Sequence, residues 1–574
     1  MRKILSLAVI LLCSFTLNSG SKDKYPKTYF RSPVDFPILL AGSFGEVRPN
    51  HFHSGIDIRT GGEQGKPVHA AADGYVSRIS VSPFGFGKAI YITHPNGYTT
   101  VYGHLRNFNT AIGSWTRYLQ YNKESFAIDV PVNPDELKVK KGDVIAYSGN
   151  SGSSGGPHLH FEIRDAATQE IINPLLFGLE LKDYMPPRIY GVKIYPKDES
   201  GLVNFSNKPL YLPVTGSSGK FNIKSVDSIS VCGNIIFGIE TKDFTGENGG
   251  KDGISSIELY IDTAEYFSQN LTRFAFSDTR YVNSLIDYPV YAKSDKPIFR
   301  SYIAPNDKLN IFGKFKTNGV VNFNQKGVHK VTYVVRDVNG NSARLEFPVK
   351  SHPPAPVGAR KPASFKGTFF SCSSVNNYKT DDMVFQMPKD ALYDDLDFLF
   401  YKTPALPGTL SPVFHLHNDQ TPIHSYCSLD IKPNAIKPAL TSKAMIVKID
   451  SPGHYSSKGG RWMNGFVSAQ IREFGDYTVM LDTTAPTIRP VNIADHKNVS
   501  RQNAIIIRIT DNLSGIESYR GTINGKWILM DYDAKTNTLI YTFDNRISPG
   551  KNEFRLVVRD VVGNEAVYRA VLLK

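Results

Sequence analysis

Two histidines stand one residue apart in "SGGPHLHFEIRD", directly after a run of glycines and serines that begins at Ser148. Side chains alternate along a β-strand, so His158, His160 and Glu162 would share one face and the apolar residues between them the other. Two imidazoles on one face of a strand can both approach a single metal ion or the water bound to it. The spacing therefore predicts one part of a metal site, at the start of a strand that is buried on its apolar face.

Two other short stretches offer partners for this pair. "HFHSGIDIRT" alternates in the same way and places His53, Gly55 and Asp57 on one predicted face, and "TTVYGHL" places His104 opposite its apolar side chains. Zinc suits such a set because imidazole and carboxylate are among its usual ligands, and a catalytic zinc takes three protein ligands and a water. Five candidates exceed three ligands, so surplus histidines remain to act on the water and on the oxyanion. The candidates are His53, Asp57, His104, His158 and His160.

The other histidines are predicted to be structural. A single histidine beside an apolar strand is usually a hydrogen-bonded structural residue, and this applies to His51, His69 and His94. A second pair with the same spacing, His415 and His417, has His424 and Cys427 nearby. It lacks the Gly-rich approach and a second strand with His and Asp in register, so no metal site is predicted there.

At the five candidate residues the sequence resembles the M23 family of zinc metallopeptidases, also called the LytM or lysostaphin-like group. The resemblance covers about residues 34 to 180 and is carried by four motifs in order: "HSGID", "GKPVHAAADGYV", "YGHL" and "GPHLHFEIRD". The HExxH helix of other zinc proteases is absent from the sequence. The resemblance implies a small antiparallel β-sheet domain with a groove across the metal, and a peptide crosslink of bacterial peptidoglycan as substrate.

The same resemblance implies a role for each candidate. His53, Asp57 and His160 match the zinc ligands. His158 matches the histidine that activates the metal-bound water as general base, and His104 matches a second active-site histidine that orients the water or stabilises the oxyanion. Residues 107–139 depart from the compact members of the family, which have a short link here. This insert would cap the groove, narrow specificity or dock a partner.

The rest of the chain is predicted to be β-rich as well, with no long helical periodicity. Its 574 residues exceed what one core usually serves. "VTYVVRDVNGNSA" recurs as "FRLVVRDVVGNEA", and "TKDFTGENGGKDGISSIELYID" resembles "TDNLSGIESYRGTING", so two related Ig-like β-sandwich modules are predicted. The predicted domains are a signal peptide at 1–20, the M23-like zinc peptidase domain at 28–184, a β-sandwich module at 185–350, a β-rich module at 351–483 and a C-terminal β-sandwich module at 484–574.

The N-terminal residues have the pattern of a secretory signal, with two basic residues before a short apolar run. The run is short for a retained anchor helix, and the bulky Leu12 before Cys13 argues against a lipid anchor. The other cysteines, Cys232, Cys372 and Cys427, do not make a disulfide framework, and their spacing leaves a pairing of the last two open. The formal net charge of +13 has no dense basic run, which fits an anionic envelope surface better than nucleic acid.

Three functions are compatible with the sequence. The first is an exported zinc metalloendopeptidase of the periplasm or cell envelope that hydrolyses peptide crosslinks of peptidoglycan. The second is a non-catalytic or autoinhibited LytM-like regulator or wall-binding protein; the intact set of ligand residues counts against it. The third is a cell-surface protein whose β-sandwich modules bind an envelope protein or glycan.

Overall fold

The computed structural model describes residues 24–224, 228–245, 250–353 and 367–574. The predicted signal peptide, with Cys13, lies outside these residues. Within them the chain is mainly β, as predicted, and its apolar residues form four large cores along the chain.

The N-terminal domain consists of short strands, one helix and one 3₁₀ turn at Pro174–Phe177. Its elements are β1 Leu40–Gly42, β2 Val47–Arg48, β3 His51–Phe52, β4 Ile56–Arg59, β5 Pro67–His69, β6 Gly74–Val81, β7 Lys88–Thr93, β8 Tyr98–Gly103, β9 Asn107–Phe108, α1 Thr110–Lys123, β10 Ile128–Pro131, β11 Lys138–Val139, β12 Val144–Tyr147, β13 His158–Asp165 and β14 Ile171–Ile172.

The main sheet of this domain has β13 near its middle. Its strand order is β1-β4-β13-β8-β7-β6-β10, and β13 pairs antiparallel with both β4 and β8. Leu159, Phe161 and Ile163 are fully buried in the core, as the alternation predicts. The opposite face is also covered, because His160 is 2% and Glu162 0% exposed, so the strand is buried on both faces rather than on one.

Helix α1 occupies the insert at 107–139, where no helix was predicted. Asn109 caps its N-terminus by accepting a hydrogen bond from the Ile112 N–H, and the helix ends at Glu124 in a left-handed conformation. Its buried residues are Ile112, Thr116 and Gln120, which have helical spacing but include only one apolar side chain. This weak apolar stripe explains why the periodicity escaped detection.

The next module follows through residues 183–187 and forms one connected sheet. Its elements are β15 Arg188–Pro196, β16 Leu202–Val203, β17 Leu210–Ser217, β18 Lys220–Ile223, β19 Ile229–Phe244, β20 Lys251–Asp252, β21 Ser256–Ile261, β22 Ala264–Asn270, β23 Arg273–Phe274, a 3₁₀ turn Phe276–Tyr281, α2 Val282–Leu285, α3 Tyr288–Ser294, β24 Ile298–Arg300, β25 Val321–Phe323, β26 Gly327–Arg336 and β27 Ser342–Ser351. The long β19 pairs with both β15 and β27, which closes part of the sheet on itself.

This module shares contacts with the N-terminal domain. β23 pairs with β14 and so extends the N-terminal sheet. Phe44 and Phe52 of the N-terminal domain belong to the core of the following module and stack against Phe274. The two units therefore hold each other through backbone pairing and a common apolar core.

Residues 367–482 contain two five-stranded sheets and a short two-stranded one. Their elements are β28 Thr368–Phe370, β29 Asn376–Lys379, β30 Met383–Met387, β31 Leu396–Phe398, β32 Phe400–Thr403, β33 Val413–Leu416, β34 Pro422–Ile431, a 3₁₀ turn Pro438–Lys443, β35 Ala444–Ser451, β36 His454–Ser457, β37 Arg461–Met463, β38 Phe466–Glu473 and β39 Gly475–Leu481. Cys372 and Cys427 are both buried and form no disulfide, and the same holds for Cys232 in the preceding module.

The C-terminal module consists of two four-stranded sheets with orders β40-β41-β45-β44 and β43-β42-β46-β47. Its strands are β40 Thr487–Pro490, β41 Ala504–Thr510, β42 Ile516–Ile523, β43 Lys526–Trp527, β44 Asp531–Asp533, β45 Thr538–Thr542, β46 Lys551–Asp560 and β47 Glu565–Leu573. Across the described residues, every helix is too short or too polar to cross a membrane.

Candidate metal centre

The centre of the site lies where β13 runs between β4 and β8. In the antiparallel register His160 stands opposite Asp57 on one side and Gly103 on the other. Directly opposed residues have Cβ atoms about 4.5–5.5 Å apart, so this register brings an imidazole and a carboxylate together. Gly55 leaves the room they need, since a Cβ there would lie 2.3 Å from the Phe161 carbonyl oxygen and 3.0 Å from the His160 ring.

His53 and His104 reach the site from outside the strands, so the predicted alternation is wrong for both. His53 lies between β3 and β4, in a break that includes Gly55. His104 follows the last residue of β8 and has a φ of 57°, in the left-handed region that costs a non-glycine residue energy. Its ring nevertheless lies 4.8 Å from that of His158, centroid to centroid. An alternating sequence pattern cannot reveal a chain reversal of this kind.

Three of the candidate residues form a tight triangle of possible ligand atoms. Asp57 Oδ1 lies 3.1 Å from His53 Nε2 and 2.9 Å from His160 Nδ1, and the two imidazole nitrogens are 3.2 Å apart. All three side chains are at least nine-tenths buried. These residues form a group that could hold a metal ion, and two nitrogens with one carboxylate oxygen are a donor set that zinc accepts.

The outer nitrogen of each of the four imidazoles faces a protein acceptor. His53 Nδ1 lies 2.8 Å from the Ser43 carbonyl oxygen, and His160 Nε2 lies 3.1 Å from Glu162 Oε1. A proton on each of these nitrogens satisfies the acceptor and leaves a lone pair on the nitrogen that faces Asp57. Tautomers assigned in this way make both residues ready to ligate a cation.

The two histidines outside the triangle, His158 and His104, also have their outer nitrogens against protein acceptors. His158 Nδ1 lies 2.9 Å from the Gly156 carbonyl oxygen, and His104 Nδ1 lies 2.9 Å from that of Ser151. His158 Nε2 is buried 3.3 Å from Asp57 Oδ1 and has no hydrogen-bond partner among the described residues. Its lone pair therefore points into the site, where a water or a substrate proton would meet it.

Protonation equilibria in the site reflect burial and the neighbouring charges. Burial and the nearby His160 and His158 rings lower the pKa of His104 to about 3, so this imidazole is neutral. Burial also opposes a charge on His160, but Asp57 and Glu162 on either side raise its pKa to about 9, so without a cation the ring carries both protons, and a metal ion would displace the proton on Nδ1. The pKa of Asp57 is held below its ordinary value by the three imidazoles around it, despite its burial. Asp57 is therefore ionised.

Glu162 supports the triangle from behind. Its carboxylate is fully buried, lies 3.1 Å from His160 Nε2 and accepts a 2.6 Å hydrogen bond from Arg164 Nε. The charge of Arg164 and the His160 ring outweigh burial and lower the pKa of Glu162 to about 2. A carboxylate behind a histidine fixes the ring orientation of a metal ligand. The sequence placed Glu162 on the face of the two histidines, but the pairing with Arg164 becomes visible only in the structure.

Replacing Glu162 with glutamine is expected to lower zinc affinity about 10- to 100-fold, the usual effect of losing a supporting carboxylate. The amide keeps the shape of the side chain but removes the charge that orients His160. The measurement is competition for zinc with a chelator of known affinity. Glu170→Gln is the matched control, since Glu170 pairs with Arg273 away from the triangle. An affinity equal to that of the unmodified protein would contradict this role.

The Gly-rich loop before β13 positions both outer histidines. Its carbonyls at Ser151 and Gly156 hold His104 and His158, respectively. Gly152 has a φ of 69°, and a Cβ there would lie 2.3 Å from the Gly87 nitrogen. The loop packs against the segment that precedes β7, and this close approach requires glycine at position 152. Next to it, Phe86 stacks on the His160 ring at a centroid distance of 4.8 Å.

The C-terminal module lies against this loop and against the insert. Lys535 Nζ donates to the carbonyl oxygens of Asn150 and Ser154 in the loop, and Lys88 Nζ forms a 2.8 Å salt bridge with Asp531. On α1, Arg117 and Tyr121 both bond Asp544, and Tyr121 packs edge-on against Trp527. The insert therefore contacts another module of the same chain.

Histidines outside the site have ordinary partners. His69 Nδ1 lies 2.8 Å from the Gly142 carbonyl oxygen, and His94 bridges the Asp73 carbonyl and Thr100. His51 Nδ1 lies 2.9 Å from the Pro49 carbonyl oxygen. In the second pair, His415 faces Asp476 and Thr403, His417 faces Thr421, and His424 faces Tyr393. Among the described residues these side chains join no group that could hold a metal.

Comparison with known proteins assigns the N-terminal domain to a family. The model of peptidase family M23 matches residues 51–117 and 110–174, a region that contains all five site candidates. The N-terminal domain is an M23 peptidase domain. Further along the chain, residues 367–482 match the model of a Zu5-like domain.

Curated relatives match about a quarter of this chain. A DD-carboxypeptidase/endopeptidase Mpg of Neisseria meningitidis serogroup B is 34% identical over 127 residues, which cover 22% of this chain and 23% of the relative. A peptidoglycan DD-endopeptidase ShyC of Vibrio cholerae is 31% identical over 144 residues, covering 24% of this chain and 27% of the relative. The chain thus spans about a quarter of the length of these relatives.

A solved catalytic domain of the M23 protein EnpA from Enterococcus faecalis aligns over 26% of this chain and 98% of its own, with 25% identity and a TM-score of 0.20.

Proposed function

We propose that the chain is an exported zinc endopeptidase that hydrolyses peptide crosslinks of bacterial peptidoglycan. One observation carries the proposal: candidate ligand atoms of His53, Asp57 and His160 converge, and the rings of His158 and His104 lie beside them. The names of the relatives from Neisseria and Vibrio support the substrate class. Export rests on the signal-like pattern of residues 1–20.

The donor set fits zinc better than other common cations. Imidazole nitrogen with a single carboxylate oxygen suits zinc, whereas calcium and magnesium prefer oxygen throughout. Three protein ligands leave a coordination position open, as a catalytic zinc requires. Zinc, when bound, would supply a Lewis acid that polarises the scissile carbonyl and makes water nucleophilic at neutral pH.

His158 and His104, the two histidines beside the triangle, have different roles toward the attacking water. His158 accepts the proton of the attacking water at Nε2, and its Nδ1–H bond to the Gly156 carbonyl stabilises the imidazolium that forms. His104 is neutral with its Nε2 lone pair free, which favours accepting the second hydrogen of that water over donating to an oxyanion. His158 finally returns its proton to the leaving amine.

The proposal is tested by incubating purified zinc-loaded protein with crosslinked muropeptides and identifying the products by mass spectrometry. Loss of the crosslinked species, with appearance of the two uncrosslinked peptides, is the expected result. A known hydrolase serves as the positive control. If every crosslinked fragment stayed intact while that hydrolase cleaved them, the proposal would be wrong.

One observation favours an autoinhibited enzyme as a second candidate. The C-terminal module contacts the Gly-rich loop that holds both outer histidines, through Lys535. A module bound so close to the groove could restrict its opening or its access. The intact triangle and the inward lone pairs agree equally well with an open enzyme, so the two candidates are separated by loosening this contact.

The double substitution Arg117→Ala with Tyr121→Ala removes the bonds from α1 to Asp544. It is expected to weaken docking of the module by roughly 1–3 kcal/mol, the usual range for hydrogen bonds to a charged group. Limited proteolysis of the connection before β40 measures the docking, and Tyr118→Ala on the same helix is the control, since Tyr118 is exposed. Under the main proposal the cleavage rate stays near that of the control. A rise of at least about fivefold, within the range of coupling between sites, would favour autoinhibition.

A further inference from the structure

The two related modules share a hydrogen-bonded corner at their entry. Asp337 directly follows β26 and accepts bonds from the backbone N–H and side-chain amide of Asn341, at 2.9 and 2.7 Å. Asp560 and Asn564 make the same pair of bonds, both at 2.7 Å. In each module the asparagine also donates to the carbonyl of the aspartate that leads into the module, Asp183 at 3.3 Å or Asp482 at 3.1 Å. The repeated sequence "RDVxGN" thus builds the same corner twice.

A third aspartate completes each corner. Asp243 near the end of β19 joins Asp183 and Asp337, and Asp511 after β41 joins Asp482 and Asp560. In both groups one carboxylate oxygen from each residue lies within 4.8 Å of the others. Acidic groups of this kind are common on surfaces, but these are enclosed: Asp183, Asp243 and Asp337 are 5%, 1% and 4% exposed.

The two corners differ in how their oxygens are satisfied. In the C-terminal module both oxygens of Asp482 accept backbone N–H bonds, from Thr484 and Ser514. Asp183 accepts the equivalent first bond, from Met185, but no described residue donates to its second oxygen, Oδ2. Asp243 Oδ1 is likewise buried without a donor among the described residues, as is Oδ1 of the neighbouring Asp252, whereas the second corner has a single such oxygen, Oδ1 of Asp511.

The charges in the first corner are also uncompensated within the described residues. No salt bridge between described side chains includes Asp183, Asp243 or Asp337. Buried carboxylate oxygens without a donor, in a cluster that no described cation neutralises, are costly, so the two unsatisfied oxygens of Asp183 and Asp243 point to a positive partner.

We propose that Asp183, Asp243 and Asp337 bind a hard divalent cation, calcium, at the junction of the M23 domain and the following module. The donors are all carboxylate oxygens, which calcium accepts in flexible geometry with six to eight ligands, whereas zinc in proteins favours nitrogen and sulfur. Asp183 belongs to the connection between the two units, Asp243 to β19 and Asp337 to the turn after β26. The bound ion joins these three segments and fixes the angle between the M23 domain and the module.

The test compares calcium binding by the full zinc-loaded chain and by Asp243→Asn, using calorimetry and the shift of the unfolding midpoint with added calcium chloride. The unmodified chain is expected to bind calcium and to unfold at a higher temperature when it is present. Asp243→Asn is expected to lose at least about tenfold in calcium affinity, because it loses one charged ligand. An amide of the same shape removes charge from the cluster, so this variant should fold.

Two further variants locate the ion. Asp511→Asn, at the matched position of the C-terminal module, and His160→Ala, in the zinc triangle, are both expected to keep the calcium response that depends on Asp243. The proposal is overturned if the unmodified chain shows no response to calcium, or if Asp243→Asn binds calcium as tightly as the unmodified chain. It is also overturned if Asp511→Asn or His160→Ala abolishes that response.

Discussion

Replacing His160 with alanine is expected to abolish zinc binding and to lower the rate of crosslink cleavage at least roughly 1,000-fold, because a catalytic metal supplies several kcal/mol of transition-state stabilisation. His160 is 2% exposed, stands opposite Asp57 in the sheet and offers Nδ1 within 3.2 Å of both partner atoms. No other described side chain is placed to replace His160 Nδ1 as a ligand atom. The Nε2 atom of His158 lies 3.3 Å from Asp57 Oδ1 but outside the triangle.

Zinc content by elemental mass spectrometry and cleavage of crosslinked muropeptides are measured on the same preparation. His94→Ala is the matched control, because His94 is equally buried in the same domain but bonds only to Asp73 and Thr100. Both variants open a comparable cavity, so circular dichroism and the unfolding midpoint separate loss of metal from loss of fold. Full zinc content in His160→Ala, or full loss of activity in His94→Ala, would contradict the assignment.

Replacing His158 with alanine is expected to lower cleavage about 100- to 10,000-fold while zinc content stays near that of the unmodified protein, because general-base catalysis contributes in this range. The two histidines of the same strand face differ in what lies behind them. His160 has a buried carboxylate behind it, as a metal ligand usually has, whereas His158 has the Gly156 carbonyl, and its Nε2 has no hydrogen-bond partner in the described part of the chain. These different surroundings are the reason for proposing a ligand role for His160 and a base role for His158.

The decisive comparison for this second prediction is the pair of variants rather than either one alone. Zinc loss in His160→Ala with zinc retention in His158→Ala supports the division of roles. Loss of zinc from both variants would show that His158 is a fourth ligand, and the base would then have to be His104. Activity close to that of the unmodified protein in His158→Ala would exclude it as the base.

Much of the site could be predicted from the sequence because strand alternation is a strong signal where one face is apolar. The pattern of "HLHFEI" placed the two histidines together on β13, and the structure has that strand at residues 158–165. The pattern could not predict that the polar face is buried too, since Phe86, which stacks on His160, comes from a distant part of the chain.

The local structure of the partner residues escaped prediction for a physical reason. His53 lies in a strand break and His104 in a left-handed conformation, and alternation describes only extended chain. Helix α1 was missed because its buried side is largely polar. The acidic corner was visible as a sequence repeat, but the unsatisfied oxygens of Asp183 and Asp243 depend on segments that are far apart in sequence.

The central claim is that a single zinc ion at His53, Asp57 and His160 makes the M23 domain a crosslink-cleaving peptidase. It is tested most directly by titrating metal-free protein with zinc while cleavage of a crosslinked muropeptide is followed. The rate is expected to rise in proportion to added zinc until one ion is bound per chain, and to stay at background in His160→Ala. Cleavage that persists in the metal-free protein, or none at any zinc concentration, would contradict the claim.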